Sequence, residues 1–303
     1  MNVLLLGSLI GLLLTGTFVQ LAKRMGWGKS IRAAGPESHL SKAGTPTMGG
    51  AAFLLAAALA WLLLAADRAS DLPVLLLTLG IGLLGLLDDA LALRRKRAAA
   101  LGLEEGTGLL ARYRLLGQGA VALAFSFWAV SSGLSWLGPT WLDVPAMAFV
   151  IVGAINALNF TDGLDGMAGG VAALVLVFFL ASPLAAALIG ALLGFLWFNA
   201  HPARVFMGGV GSEALGAAIA GLAIVQGAVW YLPLVAIMPM LAVLSVILQV
   251  SYFRATGGKR LFKMTPLHHH FELSGWPETR IVQRYYLVTA VALAAGLLIR
   301  GGA

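Results

Sequence analysis

The chain contains no cysteine, which removes disulfides, thiolate catalysis and cysteine-ligated metals from consideration. It is also poor in charge. Charged residues make up 11% of the 303 positions, against roughly 25% in an ordinary soluble domain, so a water-soluble enzyme is disfavoured. Disorder needs a polar, highly charged chain and is excluded by the same scarcity. Acidic residues are the rarer sign, 13 against 20 Lys and Arg, leaving a formal net charge of +7. That excess points to basic loops facing an anionic membrane surface or substrate. Nothing beyond net charge supports nucleic-acid binding.

What the chain has in abundance is apolar sequence. Hydrophobic residues reach 60%, and the mean hydropathy is +0.91. A spanning helix needs ~20 mostly apolar residues, because the hydrocarbon core is about 30 Å thick. Every backbone amide there must be satisfied internally, so helices are the default. Apolar runs lie at about 2–22, 48–66, 72–88, 113–136, 146–160, 167–181, 184–200, 213–226, 229–253 and 285–300. The expectation is an all-α polytopic membrane protein of about ten transmembrane helices, one integral-membrane domain over 1–303. The division at Ser182 and Pro183 is the thinnest. The first run has no basic stretch before it and no small-residue cleavage site, so it reads as a retained helix.

Ten helices create two sets of loops, and the charges divide between them. The odd-numbered loops hold 18 of the 20 Lys and Arg; Arg68 and Arg300 are the others. The positive-inside rule places those loops in the cytoplasm and both termini outside. Ten of the 13 acidic residues and all five histidines fall on the same side, with Asp67, Asp71 and Asp143 opposite. The chemistry is therefore expected at the cytoplasmic face.

Five motifs occupy that face. The first is Lys42-Ala43-Gly44-Thr45-Pro46-Thr47-Met48-Gly49-Gly50. Lys42 and the threonine hydroxyls could hold phosphate oxygens, or the stretch could be a turn capping a helix. Both readings stand at this point. The third span runs into Asp88-Asp89 and then Arg94-Arg95-Lys96-Arg97. The basic run reads as a solvated interfacial anchor. Paired carboxylates at the end of an apolar helix are costly unless they serve a metal or a proton transfer. A helix C-terminus also disfavours negative charge, so something must offset the repulsion.

The fifth span ends in Asn156-Ala157-Leu158-Asn159-Phe160-Thr161-Asp162-Gly163-Leu164-Asp165-Gly166. Asn159, Asp162 and Asp165 share a face if helical, and a compact cluster if the two Asp-Gly pairs break the helix. Either geometry favours a functional site. The seventh span leads to a glycine-rich loop, Arg204-Val205-Phe206-Met207-Gly208-Gly209-Val210-Gly211-Ser212-Glu213, a candidate anion cradle at a helix start. On composition alone Phe206 reads as core. The ninth loop carries Pro266-Leu267-His268-His269-His270-Phe271-Glu272-Leu273-Ser274-Gly275-Trp276. Three adjacent histidines cannot all face one metal in a regular element, so hydrogen bonding to a polyanionic substrate is favoured over zinc. Intramembrane carboxylates also mark transporters, but no internal repeat is evident and the polar motifs sit at span ends on one side.

Together these motifs resemble the phospho-N-acetylmuramoyl-pentapeptide transferases of the polyprenyl-phosphate N-acetylhexosamine-1-phosphate transferase superfamily. The resemblance covers nearly the whole chain, and the Pro266–Trp276 stretch is its most specific part. It implies a magnesium-dependent enzyme of bacterial peptidoglycan synthesis in the cytoplasmic (inner) membrane. Phospho-MurNAc-pentapeptide would pass from UDP-MurNAc-pentapeptide to undecaprenyl phosphate, giving lipid I and UMP, and a homodimer is allowed. The resemblance implies that Asp88 orients or deprotonates the acceptor phosphate and that Asp89 supports the metal-phosphate site with Asp162. Asn159, Asp162 and Asp165 would hold nucleotide and pyrophosphate, Phe206 would stack on uracil, and Lys42 and Thr47 would contact donor phosphate or sugar. His268, His269 and His270 would bind the muramyl side, with His269 also placed among the catalytic groups.

Three positions depart from the family pattern. Gly209 stands where the family has an aspartate that binds magnesium, and glycine offers no side-chain oxygen. Ala92 and Arg114 each replace a lysine. Glu213, one turn beyond Gly209, is a candidate substitute ligand. A catalytically silent binder of nucleotide sugar or cell-wall partners is the alternative that Gly209 raises.

Overall fold

The computed structural model describes residues 1–28, 42, 44–66, 68–100 and 111–302. The described residues form twelve α-helices and a short 3-10 turn, with no strand among them. They are α1 (Asn2–Arg24), α2 (Gly50–Leu64), α3 (Leu72–Ala100), α4 (Ala111–Ser131), α5 (Thr140–Thr161) and α6 (Met167–Val177). Then follow α7 (Pro183–Asn199), α8 (Gly208–Val225), α9 (Leu232–Val235), α10 (Ile237–Ala255), α11 (Leu267–Glu272) and α12 (Glu278–Gly301). Each of the ten apolar runs is helical. Six helices (α1, α3, α5, α8, α10 and α12) are long and apolar enough to cross a membrane, and α2, α6 and α7 are shorter apolar helices. The chain is an all-α, multi-pass membrane protein.

Two boundaries differ from the sequence reading, each for a local reason, and a third that looked thin holds. α3 does not stop at Asp88-Asp89 but continues to Ala100, through Leu, Arg, Lys and Ala, all good helix formers. The aspartates are therefore mid-helix, and the penalty expected at a helix C-terminus does not apply to them. The run at 229–253 is broken into a 3-10 turn at Val229–Tyr231, α9 and α10. Pro239 lacks the N–H that would bond to the carbonyl of Val235, the last residue of α9. The thin division at Ser182 is real. Its hydroxyl caps α7 by accepting from the amide of Ala185 at 3.2 Å, and Pro183 opens the helix at a position where no donor is needed.

Packing uses small residues, as expected where lipid is as apolar as the helix surface. Gly7 and Gly11 of α1 lie against the backbone of Ala187 and Ala191, while Gly190 and Gly194 of α7 lie against Leu4, Ser8 and Gly11. α8 is the axis of the molecule. Its side chains from Val210 to Ile224 are buried, packed chiefly between α3 and α5. At one end of the bundle the acids serve as staples. Asp71 accepts hydrogen bonds from Ser182 Oγ (2.7 Å), the Leu184 amide (2.8 Å) and Trp61 Nε1 (3.2 Å). Asp143 accepts from Ser135 Oγ and the amides of Trp136 and Leu137. Arg300, near the end of α12, donates to the Phe178 carbonyl at that end.

Candidate active site

The motif residues gather at the other end, around the N-terminus of α8. The first loop reaches it through main-chain bonds: Gly49 and Gly50 donate to the carbonyls of Phe206 and Met207, both at 2.9 Å, and Phe206 donates to Pro46 at 2.8 Å. Gly50 and Gly211 pack backbone to backbone, with no room for a Cβ at Gly50. The Lys42–Gly50 motif and the glycine-rich loop are thus one wall. Thr47 is half-buried within it.

Asp88 and Asp89 enter from α3 and have different partners. Asp89 Oδ2 accepts the Val210 amide at 3.2 Å. This places the carboxylate on the first turn of α8, where exposed amides and the helix dipole favour negative charge. Gly208 has φ +71°, and any Cβ there would run into the Asp89 carboxylate. The residue must be glycine for the acid to reach the helix end. Asp88 instead pairs with Arg114 of α4, Nη1 to Oδ2 at 3.4 Å. Arg114 also lies 3.5 Å from Glu213 Oε1. That guanidinium is the offset for the acidic repulsion that the sequence demanded.

Asn159 donates to Ser212 Oγ at 3.1 Å, and Ser212 Oγ donates to the Gly208 carbonyl at 3.0 Å. Asn156 donates to Gln118 Oε1 at 3.1 Å, and Gln118 donates to Glu213 Oε2 at 3.0 Å. α4, α5 and α8 are therefore laced by a largely buried polar chain. Asp162 ends α5, close enough for its charge, with those of Asp88 and Glu213, to act on Asp89.

Asp165 does not share that cluster. It is 3% exposed and accepts from Lys42 Nζ at 2.7 Å, the Ala203 amide at 3.0 Å and His201 Nδ1 at 3.1 Å. Glu278, at the start of α12, accepts from the same Lys42 at 2.6 Å and from the Asp165 amide at 2.6 Å. Asp165, His201 and Glu278 lie close enough to hold a metal, but the Lys42 ammonium bridges the two carboxylates and satisfies them. Burial lowers the Lys42 pKa, but the bonds and charges of Asp165 and Glu278 outweigh it and hold the group above the ordinary lysine value.

The histidine motif forms α11. His268 is fully buried, its imidazole in the space a Cβ on Gly163 would need and 6.3 Å from the Tyr285 ring. His269 Nδ1 meets Glu272 Oε2 at 2.6 Å. His270 Nδ1 accepts the Lys263 amide at 3.2 Å, and the ring packs on Phe262. Three adjacent histidines thus face three surroundings, as the geometry argument required. Trp276 stacks on Phe271 at 4.8 Å between centroids, with Arg284 over its outer face. Beside this helix a cavity of about 310 Å³ is lined by Arg254, Arg260 and Lys263 together with Phe253 and Thr265.

Sequence reasoning missed Glu278, Gln118 and this basic cavity as parts of the site. Lys42 and Glu278 are 236 positions apart, and no local pattern links them.

Residues 72–227 match glycosyl transferase family 4, and residues 42–54 match phospho-N-acetylmuramoyl-pentapeptide-transferase signature 1. The phospho-N-acetylmuramoyl-pentapeptide-transferase of Deinococcus radiodurans is 44% identical over 315 residues, covering 99% of either chain. That of Deinococcus deserti is 48% identical over 301 residues, 96% of this chain and 97% of its own. The enzyme of Thermoanaerobacter pseudethanolicus is 41% identical over 295 residues, 91% of this chain and 90% of its own.

Proposed function

Since the chain belongs to the phospho-N-acetylmuramoyl-pentapeptide transferase family, we propose that it transfers phospho-MurNAc-pentapeptide from UDP-MurNAc-pentapeptide to undecaprenyl phosphate. Lipid I and UMP are the products. An acceptor phosphate oxygen bonds to the β-phosphorus of the donor as the bond to the bridging oxygen breaks, and UMP leaves. The observation that carries this reading is convergence: the paired aspartates, the Asn-Asp turn, the glycine-rich loop and the histidine helix meet at one end of a membrane bundle.

Such chemistry depends mainly on positioning and charge neutralisation. Asp88, half-buried beside Arg114, orients the acceptor phosphate and takes its proton. Asp89 and Asp162 face the donor pyrophosphate from opposite elements, Asn159 fixes the start of α8 through Ser212, and Phe206 offers a face to the uracil. His269, oriented by Glu272, belongs to the catalytic groups, and His268 and His270 hold the muramyl side. Thr47 contacts donor phosphate or sugar. Lys42 and Asp165 contribute through the clamp they form with Glu278, which sets the pocket wall beside the nucleotide.

The donor set fits magnesium. Asp89 offers a carboxylate at the pocket, and Glu213 Oε1, buried beside it, accepts no hydrogen bond. Magnesium is held in enzymes of this kind by one or two carboxylates with substrate phosphates completing its shell. Bound there, it would neutralise the charge that builds on the transferred phosphoryl group. The silent-binder alternative rested on Gly209 alone, and relatives matched over nearly their full length give it no support.

The test is UMP release and lipid-linked product from the purified full-length protein in detergent, with both substrates and magnesium. Folded protein that yields neither would overturn the assignment. The proposal includes the bacterial cytoplasmic membrane and a cytoplasmic site. A Ser274→Cys variant of this cysteine-free chain is expected to react only with reagents that reach the cytoplasm. It extends to a homodimer, which native mass spectrometry in detergent would detect.

A further inference from the structure

Gly209 and Glu213 belong to the first two turns of α8, four positions apart and so on one face. A Cβ built on Gly209 would lie 3.4 and 3.7 Å from the two Asp89 oxygens and 3.6 Å from Glu213 Oε1. These are ordinary contact distances. The side chain that residue 209 does not have leaves a small gap walled by three carboxylate oxygens.

Glu213 is the less expected of the two walls. A carboxylate 1% exposed inside a membrane bundle is costly unless its oxygens are satisfied. Oε2 is satisfied by Gln118. Oε1 accepts no hydrogen bond, stands 3.5 Å from Arg114 and faces the gap. A leucine or alanine would fill this helix position without that cost, as on the rest of α8. A half-buried gap lined by anionic oxygens, one of them on a fully buried side chain and lacking a donor, suits a hard divalent cation that takes few protein ligands.

Resting on the transferase reading above, we infer that Glu213 is a ligand of the divalent cation in this protein, acting with Asp89 across the gap that Gly209 leaves. The carboxylate that residue 209 lacks is supplied from one turn further along the same helix.

The probe is Mn²⁺ alone, titrated into the full-length protein in detergent, with unbound ion read by electron paramagnetic resonance. Glu213→Gln keeps the shape and the Gln118 bond. It is expected to weaken Mn²⁺ binding by at least the roughly tenfold that loss of a ligand's hydrogen-bond partner costs. Residue 209 has no positive φ and room for a Cβ, so Gly209→Asp is accommodated. Added to Glu213→Gln, it is expected to recover most of the lost affinity; in the native background it should change affinity little. Glu213→Gln that binds Mn²⁺ as tightly as the native protein overturns the inference. So does a native protein with no measurable site that gains one with Gly209→Asp, a comparison that stands even if Glu213→Gln does not fold. Product formation by the native protein, measured separately, tests the transferase assignment. An active protein whose Mn²⁺ affinity ignores Glu213 loses this inference alone.

Discussion

Asp88 is held by a guanidinium and Asp89 by a helix end, so the two should respond differently to neutralisation. Asp88→Asn removes the proposed base. It is expected to lower turnover about 10²- to 10⁴-fold with little change in melting temperature, read by UMP release and a thermal scan in detergent. At Gly163 the constraint is steric. Alanine there meets the His268 imidazole, which sits in a fully buried site. Overpacking of this kind costs about 1–3 kcal/mol. Gly163→Ala is expected to lower the melting temperature and raise KM for the donor more than it lowers kcat, because the histidine helix shifts while the aspartates do not. The cost of an Asp-Asp pair following an apolar run was readable from the chain. Which neighbour offsets each acid was not, since Arg114 and Val210 reach the pair from other helices.

Helix existence was legible because unbroken apolar runs leave the backbone no other partner inside lipid. Helix ends were less so. α3 continues past its apolar part because Arg, Lys and Ala sustain a helix in water as readily as Leu does in lipid. The break before α10 turns on one absent N–H at Pro239. Asp71 shows how elements are joined away from the chemistry: it links α2, the start of α3 and the first turn of α7. Asp71→Ala strands three donors, each left unsatisfied at a cost of roughly 1–3 kcal/mol. The variant is expected to melt well below the native protein, yet to turn over normally at a temperature where it stays folded.

For the molecule as a whole, the loop charges give an expected sidedness, and the bundle keeps the five motifs at one end. The clamp of Lys42, Asp165 and Glu278 was invisible, because its members lie 123 and 236 positions from Lys42 and Lys42 and Asp165 looked suited to substrate instead. The Lys42 pKa is raised in the folded state. The clamp's contribution is therefore fully present below the unfolded lysine value of 10.5 and is lost as pH rises through the higher folded value. The melting temperature of the native protein is expected to fall more steeply with alkalinity beyond that point than that of Lys42→Met, which starts lower and lacks this step.

α8 has neighbours on every side and carries the pocket on its first turn. Among the described residues its side chains from Val210 to Ile224 are all buried. Its amides are expected to be among the last in the protein to take up deuterium. Opening for two large substrates then belongs to the loops around the pocket, so an inhibitor that works by immobilising those loops need not reach the reacting phosphorus at all.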